Sequence, residues 1–283
     1  MRAVLPALVL AAFGGALPAQ AQFWTRPDAG PQQASDVPPA VLQDVRIDER
    51  LGNRVPLDLQ LVDGSGAPFA FRSVFDGKKP VVLALVYYDC PMLCGLILSG
   101  MAKAMRENGL VLGKDFEAVT VSFDPDEKPA QGAERRRGYL QSMGLPDAGG
   151  AWPFLVGTEQ ASRALADAVG FHYAKDPATG EWAHMAAIFV LGPDGTVSRY
   201  LYGIEFPPKD LRLALVEAAG GKVGTSFDRF LLTCYRYDPA SRKYEPYALG
   251  IVRAGGALVL VALVALIGGL LWRERKAKAR HAA

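Results

Sequence analysis

The sequence predicts an α/β domain in three layers, with helices on either side of a mixed central sheet. Two apolar runs, Val81–Tyr87 and Phe116–Phe123, have the composition of strands that are buried on both faces. A stretch of helical character follows each run, and two later apolar runs flank the turn Gly192–Gly195. Strands separated by helices pair in parallel, whereas strands joined by a tight turn pair antiparallel, so we expect a mixed sheet.

Each predicted element follows from its local pattern. The strands, in chain order, are Val55–Val62, Pro68–Val74, Val81–Tyr87, Phe116–Phe123, Trp152–Val156, Ala186–Leu191 and Val197–Tyr202. The helices are Pro91–Asn108, Glu127–Met143, Thr158–Val169 and Pro208–Ala219. The turn Asp63–Gly66 joins the first two strands as a hairpin. Pro91 suits a first helical position, Thr158 is typical of a helix start, and the last helix is amphipathic.

The order of these elements is that of the thioredoxin type. A strand, a helix, a second strand and a second helix precede an antiparallel hairpin and a closing helix. We place this domain at residues 46–220. Half of all residues are hydrophobic, and the segment between the apolar chain ends is still long enough to bury a core.

The N-terminal end has the pattern of an export signal. Arg2 precedes an apolar stretch, and Ala19–Ala21 has the small-residue form of a signal-peptidase site, so we predict a signal peptide at 1–21. Residues 22–45 are rich in Pro, Gln and Ala without an apolar period, which indicates a flexible leader.

The C-terminal end has the pattern of a membrane anchor. Residues 254–272 carry no charge, and a helix of that length spans roughly 28 Å, which matches the apolar layer of a bilayer. We predict a transmembrane helix at 251–272, a juxtamembrane segment at 221–250 and a basic tail at 273–283. The positive-inside rule places that tail in the cytoplasm and the domain on the periplasmic side.

The net charge and the cysteine content limit the classes of function that are compatible with the sequence. The net charge is only +2, and several basic residues lie in the tail, so we do not expect a nucleic-acid partner. The chain has three cysteines. Cys90 and Cys94 are close in sequence, whereas Cys234 is the odd thiol; a buried small residue, an added ligand and a partner contact all remain open for it.

The pair Cys90 and Cys94 is where we expect the chemistry. Residues four apart on a helix lie on one face, close enough to join as a disulfide or to converge on one metal ion. We also expect the helix N-terminus to lower the pKa of these thiols. A site at the exposed rim of that helix would suit exchange of a ligand with a partner.

His184 is the third candidate residue, although it is distant in sequence. It directly precedes the strand Ala186–Leu191, and in the thioredoxin topology the loop entering this strand passes beside the cysteine helix. Two thiolates and one imidazole suit Cu(I), while Cu(II) would seek a further oxygen or nitrogen. Zinc also binds Cys and His, but a structural zinc site normally has a fourth protein ligand, and none is evident.

The segment Phe69–Leu98, which includes the Cys-Pro-x-x-Cys motif, resembles the Sco/SenC family of copper-binding proteins that help assemble cytochrome c oxidase. The similarity extends through Ser122–Asp126 and His184 to the turn Gly192–Gly195, and so covers nearly all of the predicted exported domain. Two positions depart from the family pattern: Gly95 stands where a second proline is usual, and Met185 stands where Ser or Thr is usual.

The resemblance implies that Cys90, Cys94 and His184 bind copper, with a Cys90–Cys94 disulfide as the alternative state. It implies that Asp124 lies near the site without binding the metal; capping the following helix is the other interpretation of Asp124. The implied partner is the oxidase subunit that carries the binuclear copper centre. The departing residue Met185 is more typical of packing than of copper binding, and Met92 has the same ambiguity.

Two functions from different classes are compatible with these residues. The first is a membrane-anchored copper metallochaperone, which is not an enzyme. The second is a thiol-disulfide oxidoreductase that uses Cys90 and Cys94 to reduce the cysteines of its client. A peroxidase is a weaker third, because the segment Tyr87–Asp89 lacks the usual upstream Thr or Ser. His172 is expected to be a packed or surface histidine.

Overall fold

The computed structural model describes residues 44–91, 93–145, 150–177, 179–220, 235–238, 243–246 and 255–269. Several sequence predictions therefore fall wholly or mostly outside the described residues. They are the signal peptide 1–21, the leader 22–45, the juxtamembrane segment 221–250, the tail 273–283, Met92 and Cys234.

Several strands have five or six residues, and the others are shorter. The strands are β1 (Gln60–Val62), β2 (Pro68–Ala70), β3 (Val81–Val86), β4 (Glu117–Ser122), β5 (Phe154–Leu155), β6 (Ala174–Lys175), β7 (Trp182–Ala183), β8 (Ala187–Leu191), β9 (Val197–Tyr202), β10 (Tyr235–Asp238) and β11 (Lys243–Pro246). The helices are α1 (Leu93–Glu107), α2 (Pro129–Ser142), α3 (Glu159–Ala168), α4 (Pro208–Ala218) and residues 255–269, and a 3-10 turn covers Phe71–Val74.

The central sheet has the strand order β5–β4–β3–β8–β9. β3 pairs in parallel with β4, and β4 with β5, whereas β8 is antiparallel to both β3 and β9. All six residues of β3 are buried, as expected of a strand covered on both faces. The prediction of a mixed sheet flanked by helices is confirmed.

The core lies between this sheet and the helices. α1 packs against α2 and α4, α4 packs on β8 and β9, and α2 packs on β5. Trp152 is fully buried, and its indole N–H donates to the Thr120 hydroxyl at 2.9 Å. The indole therefore adds a large apolar surface to the core while its polar atom keeps a partner.

Some element boundaries differ from the prediction. The first strand is only Gln60–Val62, because upstream Val55 instead donates its N–H to the Gly195 carbonyl. The second helix begins at Pro129 and not at Glu127, since proline fits the first turn and the Glu127 carboxyl is turned inward to accept a hydrogen bond from Ser122.

Two hairpins were not predicted. They are β6–β7 and β10–β11. Strands of two to four residues are too short to show an alternating pattern that sequence reasoning can use.

The predicted membrane span 251–272 is described only at 255–269, where the chain is helical. Within the part of the chain that the structure describes, no helix has both the length and the apolar character needed to cross a bilayer. The anchor stays a prediction.

Any side chain at Gly100 on α1 should destabilise the fold, because a Cβ there would lie 2.0 Å from the Ile204 carbonyl oxygen. We expect Gly100→Ala to lower the free energy of unfolding by about 1–3 kcal/mol or more. Gly138 on α2 is the matched control, since a Cβ there meets nothing within 4 Å. Gly138→Ala should raise the free energy of unfolding by about 0.5–1 kcal/mol. Urea denaturation of both variants measures this, and equal effects would contradict the close approach of α1 to the Ile204 loop.

Candidate metal centre

Hydrogen bonds to α2 and to the segment before it fix the loop that carries Cys90. It follows β3, and the Arg135 guanidinium donates two hydrogen bonds to the Tyr88 carbonyl, at 2.9 and 2.6 Å. The Asp89 N–H donates to the Glu127 carboxylate at 2.7 Å. These bonds leave little freedom to the backbone that enters Cys90.

The structure brings Cys90 and Cys94 together at the start of α1, with a local geometry that differs from the predicted one. Helix α1 begins at Leu93, later than the predicted Pro91, so Cys90 precedes the helix and Cys94 lies in its first turn. The Cys94 N–H donates to the Cys90 sulfur at 3.3 Å. The Cys90 thiol thus accepts from one of the helix N–H groups that have no partner within the helix. Both residues are thiols and no disulfide joins them.

His184 lies between β7 and β8, and its Nε2 is 3.2 Å from the Cys94 sulfur. Its Nδ1 is 3.0 Å from the Met185 carbonyl oxygen. A carbonyl oxygen can only accept, so Nδ1 carries a proton, and in the neutral ring the Nε2 lone pair faces Cys94. Phe123 and Phe171 pack against the imidazole, with ring centroids 5.3 and 5.8 Å away. The ring is therefore held in the tautomer that binds a metal through Nε2.

The predicted lowering of the thiol pKa is wrong for Cys94. Burial raises the pKa of this thiol well above its ordinary value, and the hydrogen bond with Cys90 adds to the effect. Cys94 is only 2% exposed, so the loss of water outweighs the favourable N–H from Tyr87, which is 3.5 Å from its sulfur. A cation bound at the thiolate would reverse this balance.

The site is also less exposed than predicted. His184 is 9% exposed and Cys94 nearly inaccessible, whereas Cys90 is half-buried. The edge of the pair that solvent or a partner can reach is therefore Cys90.

The donor set suits a soft metal ion, although it is not yet a closed site. Among the described residues, no three His, Cys, Asp or Glu side chains already surround one point. Cys94 and His184 face each other, and the Cys90 sulfur is one hydrogen bond from the Cys94 backbone. Two sulfurs and one imidazole nitrogen are ligands that Cu(I) accepts.

Asp124 does not cap the next helix, which begins after Lys128. Its carboxylate accepts hydrogen bonds from the Trp182 indole at 2.9 Å and from the Asp126 N–H at 3.0 Å. Trp182 in turn packs edge-on against Phe123, which contacts His184. Asp124 is thus connected to the site through two aromatic rings.

Sequence reasoning missed three residues beside the site. The Tyr87 hydroxyl donates to the Glu181 carboxylate at 2.7 Å, and the buried Glu127 accepts from Ser122 and from the Asp89 N–H. The position of Tyr87 between the buried strand and Cys90 was a usable signal. Glu181 belongs to the unpredicted hairpin, and its local sequence contains no such signal.

Two further residues singled out from the sequence have other roles. His172 is partly buried, and its Nε2 lies 2.9 Å from the Asp48 carboxylate, so it is a packed histidine at the edge of the core. Met185 contributes its carbonyl to His184.

A sequence profile of the SCO1/SenC family matches residues 48–218, more than half of the chain. The chain belongs to the SCO1/SenC family. The resemblance deduced from the motif and from His184 is therefore confirmed. A comparison with curated proteins found no significant match.

Similar proteins are also found among solved structures. A candidate electron transfer protein from Aquifex aeolicus VF5 supports the assignment of the fold: it is 28% identical, with a TM-score of 0.52 over 60% of this chain and 95% of its own. ScoI of Bradyrhizobium japonicum, solved with copper bound, is 21% identical (TM-score 0.43, 61% of this chain and 98% of its own). BsSco is 20% identical (TM-score 0.45, 62% and 97%) and is described as a Sco family cytochrome c oxidase assembly protein with a disulfide switch.

The two thiols should differ in reactivity. Cys94 is buried and its pKa is raised, whereas Cys90 is half-buried. Because only an accessible thiolate reacts, we expect iodoacetamide to alkylate Cys90 at least about tenfold faster than Cys94 in the reduced, metal-free protein. Mass spectrometry of Cys90→Ser and Cys94→Ser, both with Cys234→Ser, measures the two rates. Equal rates would show that Cys94 is open to solvent.

Glu127 should make stability depend on pH. Burial raises its pKa above the ordinary value of 4.5, so the protonated form stabilises the fold below that value and the contribution is lost as pH rises through the folded pKa. Glu127→Gln stays neutral. We therefore expect the free energy of unfolding of Glu127→Gln, relative to wild type, to increase between about pH 4 and pH 7. Urea denaturation across this range tests it, with exposed Glu134→Gln as the control; a constant difference would contradict it.

Proposed function

We propose that this protein is a membrane-anchored copper metallochaperone for the assembly of cytochrome c oxidase. The observation that carries the proposal is the 3.2 Å approach of the His184 Nε2 to the Cys94 sulfur, with Nδ1 committed to the Met185 carbonyl. The copper-bound ScoI and the assembly role of BsSco belong to those relatives. We extend both properties to this chain because it shares their family and presents suitable donors.

Copper in this proposal is the cargo. Cys90, Cys94 and His184 hold it, and two thiolates favour Cu(I). Cys94 and His184 form the buried side of the site, and Cys90 forms the accessible side. A client thiol or imidazole can therefore replace Cys90 first, and the metal leaves by ligand exchange without unfolding of the core.

The chain ends support the location. A signal peptide at 1–21 would export the domain, and an anchor at 251–272 would hold it on the periplasmic side of the membrane, near an oxidase subunit with a binuclear copper centre. This placement rests on the sequence pattern alone.

The second candidate function is that of a thiol-disulfide oxidoreductase that acts on the cysteines of the client. The observation in its favour is that the half-buried Cys90 lies beside a second thiol, Cys94, which could resolve a mixed disulfide. Such an activity needs no imidazole, so His184 separates the two functions.

Anaerobic titration of the reduced full chain in detergent with Cu(I) tests the proposal. We expect wild type to hold one copper. Cys90→Ser, Cys94→Ser and His184→Ala should each lose at least about 100-fold in affinity, because loss of a ligand costs more than the about 10- to 100-fold that follows loss of an outer-shell partner. The control is His172→Ala, whose Nε2 lies 2.9 Å from the Asp48 carboxylate and which should bind like wild type. Cys234→Ser tests separately whether the third thiol is an added ligand. A wild type without copper affinity whose thiols exchange rapidly with a dithiol would instead establish the oxidoreductase.

A further inference from the structure

His184 lies in a short connection, residues 184–186, whose two ends are held with unequal strength. At one end, β8 pairs with β3 and β9 in the central sheet. At the other end, β7 pairs with β6 in a separate sheet of two-residue strands. A two-stranded hairpin on its own is marginally stable at best in water. Contacts with the rest of the domain must therefore hold the β7 side of His184.

Trp182 on β7, two residues before His184, makes such a contact. Its indole N–H donates to the Asp124 carboxylate at 2.9 Å, just beyond the end of β4. The Trp182 ring also packs edge-on against Phe123, with 6.1 Å between centroids, and the His184 ring packs against the same phenyl ring at 5.3 Å. Trp182 and His184 are therefore both held against one segment of the chain, Phe123–Asp124.

Two further contacts hold the β6–β7 hairpin, but they lie farther from His184 or contribute less. Glu181 accepts a hydrogen bond from the Tyr87 hydroxyl at 2.7 Å, and it precedes β7 as an exposed residue. The Lys175 ammonium is 3.8 Å from the Asp126 carboxylate, and both side chains are exposed. An exposed ion pair contributes little to stability. The indole of Trp182, in contrast, is partly buried and lies on the strand that leads into His184.

We propose that Trp182 is a positioning residue for the His184 imidazole. The hydrogen bond from its indole to Asp124 fixes the β7 end of the connection, and the central sheet fixes the β8 end. Together they keep the His184 Nε2 at 3.2 Å from the Cys94 sulfur. Without this hydrogen bond, β7 is free to shift and to carry the imidazole away from the sulfur. The inference deepens the proposed function and rests on it, because it treats His184 as a copper ligand.

Anaerobic titration of the reduced full chain in detergent with Cu(I) gives the first test. Trp182→Phe removes the indole N–H and keeps an aromatic ring, so we expect Cu(I) affinity to fall by about tenfold, the loss typical of a partner that orients a metal ligand. Trp152→Phe is the matched control, because it removes an indole N–H that donates at 2.9 Å to the Thr120 hydroxyl in the core. This control should bind Cu(I) like wild type. Urea denaturation verifies that both variants are folded under the titration conditions.

A metal-free measurement tests the position of the imidazole directly. Diethyl pyrocarbonate acylates an unprotonated imidazole nitrogen, and His184 is only 9% exposed, so wild type should react slowly there. We expect Trp182→Phe to raise the rate at His184 by about fivefold, the change in an opening equilibrium that follows the loss of one hydrogen bond. Trp152→Phe should leave this rate unchanged. Mass spectrometry measures the rate, with His172 of the same chain as the internal reference.

A double-mutant cycle tests whether Trp182 acts through Asp124. Asp124→Ala removes the acceptor, so it should lower Cu(I) affinity and raise the reactivity of His184 at least as much as Trp182→Phe. In the Asp124→Ala background, Trp182→Phe should have little further effect, because the hydrogen bond is already absent. If Trp182→Phe fails to fold, Asp124→Ala decides the result by the same comparison with Trp152→Phe.

Two results would overturn the inference. One is a Cu(I) affinity or a His184 reactivity in Trp182→Phe that equals that of Trp152→Phe. The other is an effect of Trp182→Phe that is the same with and without the Asp124 carboxylate, which would make the indole act by packing alone. The reactivity of His184 is measured without metal, so the two proposals fail separately. A wild type that binds no copper would end the chaperone proposal, and the reactivity of His184 would still decide whether Trp182 positions the imidazole.

Discussion

The antiparallel pairing of β3 with β8 is the constraint on which the site depends. Val81 lies opposite Leu191 and Leu83 opposite Phe189. Since the two strands run in opposite directions, the end of β3 lies beside the beginning of β8. The first end leads into Cys90 and Cys94, and the second begins three residues after His184. A change of register between these two strands would move the imidazole away from the sulfurs.

Hydrogen bonds hold one side of this junction in place, and aromatic packing holds the other. From one side, Arg135 and Glu127 hold the backbone before Cys90 by hydrogen bonds. From the other side, Phe123 and Phe171 hold the His184 ring by packing. The hairpin β6–β7 contributes Glu181 to Tyr87 and Trp182 to Asp124 through hydrogen bonds. The backbone before Cys90 and the His184 ring are thereby held by residues outside the proposed set of copper ligands.

The two thiols differ in burial, so they have different roles in metal transfer and in thiol-disulfide exchange. Cys94 and His184 lie in an apolar surrounding, where an uncompensated thiolate is costly and a bound cation is correspondingly stabilising. Cys90 keeps contact with the surface. An inner pair that retains an ion and an outer ligand that can be replaced is an arrangement suited to transfer, and the same asymmetry suits attack on a disulfide by the outer thiol.

Local residue patterns were enough to predict the sheet, the helices and the cysteine pair. β3 and β4 were predictable because strands buried on both faces are apolar throughout, and the Cys90–Cys94 spacing is a local property of one helix start. His184 was predictable once the topology was assumed, because its place before β8 fixes its neighbour. The pKa of Cys94, the tautomer of His184 and the contacts of Glu181 emerged only from the folded chain. Burial and hydrogen-bond partners come from segments distant in the chain, and no local residue pattern contains them.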